Sequence, residues 1–224
     1  CQRTSSNGLK KIVRRMNSFY GIHKCNKFLE MKLFLCVFIL FFVEVIPSLV
    51  FGGYEEGSAA FERGDYEIAL KEFKALVVQK DSRGQYALGL MYDLGTGVSL
   101  DFKEAIRWYL LSAEQGHAGA QNNLATMYAE GEGVAKDYKK AIKWYELAAQ
   151  QGNFDAPNNL GAIYLKGIAV RRNYVKAYMW FHVGEMKGDR AAKRNRGFVE
   201  KRMTDEDVII ANKKVGEWIN RHLK

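Results

Sequence analysis

Residues 84–191 repeat with a period of 36, and nothing else in the chain restricts its fold as strongly. The units are Gly84–Gly119, Ala120–Asp155 and Ala156–Ala191. Leu88, Leu124 and Leu160 fall in register, as do Tyr92, Tyr128 and Tyr164. Gly95, Gly131 and Gly167 follow, and Ala105, Ala141 and Ala177 stand just before Trp108, Trp144 and Trp180. Gly116, Gly152 and Gly188 close the units.

Each unit reads as two helices. In the middle one, Ala120, Leu124, Met127 and Tyr128 recur at the spacing of one helix face. Gly131-Glu132-Gly133 ends that helix, since glycine accepts the left-handed backbone a helix terminus needs. Asp137 is a suitable N-cap for a second helix. In the first unit Asp101 and Glu104 have capping-box spacing. The second helix turns Ala141, Ile142, Trp144, Tyr145 and Ala148 inward, small residues for close approach and rings for volume. The third unit has Ile168-Ala169 where the others have Glu132-Gly133 or Thr96-Gly97, so a different loop is expected there.

One such helix pair cannot bury its apolar face, whereas stacked pairs form a continuous core. The expected architecture is therefore all-α, an α/α solenoid of antiparallel helix pairs. Asp65, Tyr66, Ala69 and Phe73 precede Asp101, Phe102, Ala105 and Tyr109 by one period, which makes 53–83 an N-terminal capping helix pair. After residue 191 the pattern decays. Ala192–Arg202 reads as a polar helix, and Thr204 with Asp207 starts another that runs to about Leu223. Residues 192–224 are thus expected to be C-terminal capping helices, three repeats filling 84–191.

Upstream the chemistry changes. Met31 and Lys32 precede an apolar run from Leu33 to Val43, with Pro47, Ser48 and Gly52 beyond it. Residues 31–52 have the order of a secretory signal peptide. The other reading is a membrane anchor through residues 33–51, although Glu44 interrupts the run well short of the roughly 20 apolar residues a span needs. Residues 1–30 begin with Cys and are basic and aperiodic. They read as an upstream extension, either sequence that is not translated or a basic cytoplasmic segment.

The net charge of +9 would suggest nucleic acid if it were spread evenly. It is not. Residues 1–52 hold eight Lys/Arg against Glu30 and Glu44, and residues 187–224 hold a further excess of five. The repeats between are slightly acidic, so no nucleic-acid partner is expected. All three cysteines, Cys1, Cys25 and Cys36, lie in the leader region. Residues 53–224 therefore offer no thiolate metal site and no internal disulfide.

No constellation carries catalysis. His23, His117, His182 and His222 lack partners at metal-ligand spacing. Gly95-Thr96-Gly97 and Gly131-Glu132-Gly133 lack the Lys-Ser/Thr of a phosphate loop and recur as helix connections. Asp205-Glu206-Asp207 suits the first turn of a helix, where acidic groups complement the dipole. No catalytic residue, metal or cofactor is assigned.

Asn123–Val134, Asp137–Tyr145 and Ala148–Gly152 together resemble the Sel1-like repeat family, relatives of tetratricopeptide repeats with a longer loop. The tail from Arg202-Met203-Thr204 to Trp218 is similar to the ending of many bacterial members. The resemblance implies a right-handed superhelix and non-enzymatic scaffold or adaptor work in protein complexes, here of the cell envelope. It implies a protein or peptide partner bound on the concave face. That face would be lined by first-helix residues pointing away from the core: Tyr86, Leu90 and Asp93, then Asn122, Thr126 and Ala129, then Asn158, Ala162 and Leu165. The signal places the protein outside the cytoplasm, periplasmic or secreted, and the anchor reading places it at the inner membrane as a signalling regulator. A cysteine-rich branch of the family implies another function, a penicillin-binding or β-lactamase-like cell-wall enzyme, but its cysteines are missing here.

Overall fold

The computed structural model describes residues 53–222. The extension at 1–30, and the signal or anchor predicted over 31–52, lie outside the described residues. Among these residues every regular element is a helix. Helix α1 occupies 53–63 and α2 Tyr66–Val78. Three pairs follow: α3 Ser82–Leu94 with α4 Phe102–Glu114, α5 Ala118–Glu130 with α6 Tyr138–Gln150, and α7 Ala156–Lys166 with α8 Tyr174–Met186. Helices α9, Arg190–Glu200, and α10, Asp205–His222, complete the array.

From α2 to α9 each helix packs on the next one in the chain, so the array is built of stacked antiparallel pairs. Three contacts reach further. Helix α9 touches α7, and α3 touches α5, so first helices lie beside first helices. Helix α10 packs on α8, placing its buried Ala211 and Trp218 against the third repeat.

Recurring caps set the helix bounds. Asp101 Oδ1 accepts from the backbone N–H of Lys103 and Glu104, at 2.9 and 3.1 Å. Asp137 and Asn173 cap α6 and α8 in the same way, accepting from Lys140 and Lys176. Each such cap contributes about 1 kcal/mol. The capping box expected at Asp101 forms only by half. The Asp101 N–H donates to the Tyr92 carbonyl, and Glu104 pairs with Arg107 instead. Thr204 caps α10 as expected, accepting from the Asp207 N–H at 3.2 Å.

The first helices end at Gly95, Gly131 and Gly167, all left-handed. The expected difference at Ile168-Ala169 does not appear in the backbone. Ala169 takes φ +55°, beside +71° at Gly97 and +64° at Gly133. The Asn173 N–H still donates to the Tyr164 carbonyl, as Asp137 does to Tyr128 and Asp101 to Tyr92. The loop form therefore recurs with the same closing bond, and Ala169 adopts it against the preference of an L-residue for negative φ.

The core runs the length of the array. Leu88, Leu124 and Leu160 are buried from the first helices, and Ala105, Ala141 and Ala177 from the second. A fully buried leucine of this kind contributes about 1.5–3 kcal/mol. Tyr109, Tyr145 and Phe181 cross from the second helices onto Gly89, Ala125 and Gly161. A Cβ on Gly89 would lie 2.5 Å from the Tyr109 ring, and one on Gly161 2.5 Å from that of Phe181. These two glycines are what lets the rings lie against the first helices.

Candidate binding face

The first helices α3, α5, α7 and α9 form one row, and side chains reaching between them stitch it together. Asn159 Nδ2 donates to Asn122 Oδ1 at 3.3 Å, and Asn195 Nδ2 donates to Asn158 Oδ1 at 2.9 Å. Both bonds join residues 37 apart, so the same seam links α5 to α7 and α7 to α9. Asn122 also donates to Asn123, and Asn123 donates to the Tyr109 hydroxyl at 3.1 Å. That hydroxyl in turn donates to Asp93 Oδ2 at 2.9 Å. A continuous polar line therefore runs from Asp93 through Tyr109, Asn123 and Asn122 to Asn159.

The nine residues predicted to line the face all sit in this row, and seven of them have a definite neighbour. Tyr86 is half-buried and stacks on the His117 ring at 4.5 Å, with Tyr109 beyond it. Leu90 and Tyr86 both line a cavity of about 150 Å³ together with Tyr54, Phe61 and Phe73. Asp93 is held by Tyr109. Asn122 is 9% exposed and belongs to the seam. Thr126 Oγ1 lies 2.8 Å from the Tyr145 hydroxyl and donates to the Asn122 carbonyl at 3.2 Å. Asn158 accepts from Asn195, and half-buried Leu165 packs against the third-repeat core. Asn122 is buried and the others are half-buried, because a first helix packs on second helices and on its neighbours in the row.

Electrostatics follow burial. The Tyr145 phenol is pushed up to about 12, chiefly by desolvation and against the help of Thr126. Burial raises the Tyr109 and Tyr86 phenols too, and it lowers His117. His117 Nδ1 accepts from the Ala120 N–H at 3.2 Å, so its neutral ring caps α5.

Sequence reasoning missed Asn123, Asn159, Asn195 and Phe198. Carrying the period one step further, from Asn159 to Asn195 and from Ala162 to Phe198, would have found the last two. A second concavity, about 400 Å³, lies among α6, the third repeat and α10 and is lined by Glu146, Lys176, Trp180, Lys214, Trp218 and Arg221. Burial raises the Glu146 carboxyl, and Lys176 opposes the shift. Its mixed charges set up no nucleophile–base pair. Among the described residues no group of three His, Cys, Asp or Glu could hold a metal ion, and no helix is long and apolar enough to cross a membrane.

Comparison with known proteins agrees with this architecture. Residues 82–117, 118–153 and 155–189 each match the Sel1 repeat. A Sel1 repeat protein from Oxalobacter formigenes is 34% identical, with a TM-score of 0.60 over 63% of this chain and 58% of that one. A protective antigen of uropathogenic Escherichia coli with an SLR fold, c5321, is 28% identical at a TM-score of 0.49, over 77% of this chain and 46% of that one. This chain thus spans under two thirds of either protein's length. No curated protein matches it.

Proposed function

We propose that this chain, which belongs to the Sel1 repeat family, is a non-enzymatic scaffold that holds a peptide or protein segment against its row of first helices. Sel1 repeats form a protein-interaction fold, and a solenoid offers its partners an extended surface rather than a pocket. The observation that carries the reading is the stitched row itself. The Asn122–Asn159 and Asn158–Asn195 bonds hold three first helices, α5, α7 and α9, at one register. A ligand laid across them meets the same three side-chain columns at every step. A pre-ordered surface loses little entropy on binding.

Compartment belongs to the same proposal. The leader-like order of residues 31–52 supports work in the cell envelope, outside the cytoplasm. N-terminal sequencing of the protein purified from its own cells tests this. A terminus near Ser48–Gly53 agrees with it, and a terminus upstream of Met31 overturns the cleaved form.

Binding is tested by photo-crosslinking. A benzoyl-phenylalanine at Ala162, on the row, is compared in cells with one at Lys143, exposed on the outer side of α6. Discrete adducts from position 162 and none from 143 are expected. Equal labelling from both positions, or none from either, overturns the assignment of the face.

A further inference from the structure

The columns of the binding face do not stop at the third repeat. One period beyond Asn158, Ala162 and Leu165 stand Arg194, Phe198 and Lys201, on α9 and at its C-terminal cap. The Asn195–Asn158 bond has the same separation as Asn159–Asn122, so α9 continues the row in register. The face is thereby one step longer than the repeats.

Its character changes from end to end. At the α3 end lies the 150 Å³ cavity, walled by the rings of Tyr54, Phe61, Phe73 and Tyr86 and by Leu90, with Glu62 also lining it. The one charged column residue there, Asp93, already accepts from Tyr109. The middle steps are Asn, Thr and Ala. At the α9 end Arg194, Lys201 and Arg202 are exposed, and among the described residues none forms an ion pair. The carboxylates of Glu185 and Glu200 are engaged by Arg196, and Glu185 also by Lys193. Asp205, Glu206 and Asp207 head α10 without pairing to these cations. The Arg202 guanidinium lies 3.6 Å from the centre of the Phe198 ring, which is 48% exposed. Its Nη1 donates to the Phe198 carbonyl at 2.7 Å, and the remaining N–H donors of a guanidinium laid on a ring can still meet a carboxylate.

We infer that the row binds an extended protein segment with a fixed polarity, its apolar side chain in the α3-end cavity and two or more carboxylates at Arg194, Lys201 and Arg202. This rests on the reading of the row as the binding face. Charge sets the direction: carboxylates meet unpaired cations at one end and Glu62 with Asp93 at the other. Size sets the spacing. Three steps between neighbouring helices at about 10 Å each make roughly 30 Å. An extended segment of about nine residues spans that distance.

Random peptides of about a dozen residues, displayed on phage, are selected on the immobilised full chain. An enriched peptide is then titrated by fluorescence anisotropy. Enrichment of Asp or Glu about eight or nine positions from a Leu, Met or Phe is expected. Replacing the three cations together (R194Q, K201Q and R202Q) should weaken that peptide about tenfold. The triple Glu variant should bind the version with Lys in place of the acids, a rescue that mere unfolding cannot produce. Thr126→Arg, in the middle of the row, separates the two readings. If it abolishes binding while the Gln variant leaves affinity unchanged, the polarity fails and the face stands. If Thr126→Arg has no effect, the face itself fails. An empty selection, or binding of the chain to phosphatidylglycerol vesicles through the same three cations with no acidic peptide preferred, also overturns the proposal.

Discussion

The middle and third repeats close their helix pairs by different chemistry. In the middle repeat Tyr145 crosses from α6 to α5 and brings its hydroxyl 2.8 Å from Thr126 Oγ1. Beneath the ring the first helix carries Ala125. In the third repeat the ring is Phe181, the threonine's counterpart is Ala162, and the alanine's is Gly161. Hydroxyl and partner have left together, and the ring has settled deeper, at 0% exposure against 4% for Tyr145. Removing both members of a buried polar pair is nearly neutral, whereas removing one leaves the other to bear its desolvation. One backbone thus tolerates a polar and an apolar closure, provided each is complete.

Substitutions can break this comparison. Phe181→Ala should cost the most, about 3–5 kcal/mol by urea denaturation, since the apolar closure has no hydrogen bond to fall back on. A loss under about 1 kcal/mol would show that the ring does not hold the pair. Gly161→Ala comes next, at about 1–3 kcal/mol, because its Cβ would lie 2.5 Å from the Phe181 ring. The reverse change in the middle repeat, Ala125→Gly, should cost about 1 kcal/mol from helix propensity and lost packing. If both changes cost the same, the rings do not sit at different depths.

Tyr145→Phe tests the polar closure and has a pH signature. Thr126 keeps its bond to the Asn122 carbonyl, so the change near neutral pH should be about 1 kcal/mol or less. The folded phenol is raised to about 12. Its contribution is present in full below the unfolded value near 10 and is lost as pH rises through the folded value. Stability should therefore fall above pH ~10, and Tyr145→Phe should flatten that fall. An unchanged alkaline slope would remove Tyr145 as its source. The smallest effect is expected from Ala169→Gly. Relief of the left-handed alanine should raise stability by about 0.5–1 kcal/mol, and Gly133→Ala should lower it. For Gly133 the added Cβ would also lie 2.7 Å from the Phe102 backbone.

Most of the fold was legible because the repeat states it three times. Leucine, alanine and glycine positions recur, caps recur, and a single unit's ambiguity is settled by its copies. The third-repeat loop reads as different because Ala169 breaks a glycine pattern, but its backbone keeps the φ and the closing hydrogen bond of the other two loops. The seam could not be read from local pattern at all. Asn122 and Asn159 meet only because α5 and α7 lie side by side, a tertiary fact that helical spacing does not encode. Helical spacing puts the candidate residues on the first helices, yet angle around a helix could not show that a row of such helices half-buries its own outer columns. Helix α9 was read as a polar cap because it lacks the leucine and tyrosine signature. Only Asn195 and Phe198 betray it as a further member of the row.

A bond that always joins a residue to the one 37 positions on carries no information about how many repeats there are. If the segment 118–153 were duplicated in tandem, Asn122 of one copy would meet the Asn123 of the next, and the seam would close again without any new contact. Gene duplication can therefore lengthen or shorten this array in whole units, changing the reach of the surface while leaving its two dissimilar ends intact. Insertion of a single residue inside a helix has no such freedom, since it would put every later asparagine out of step.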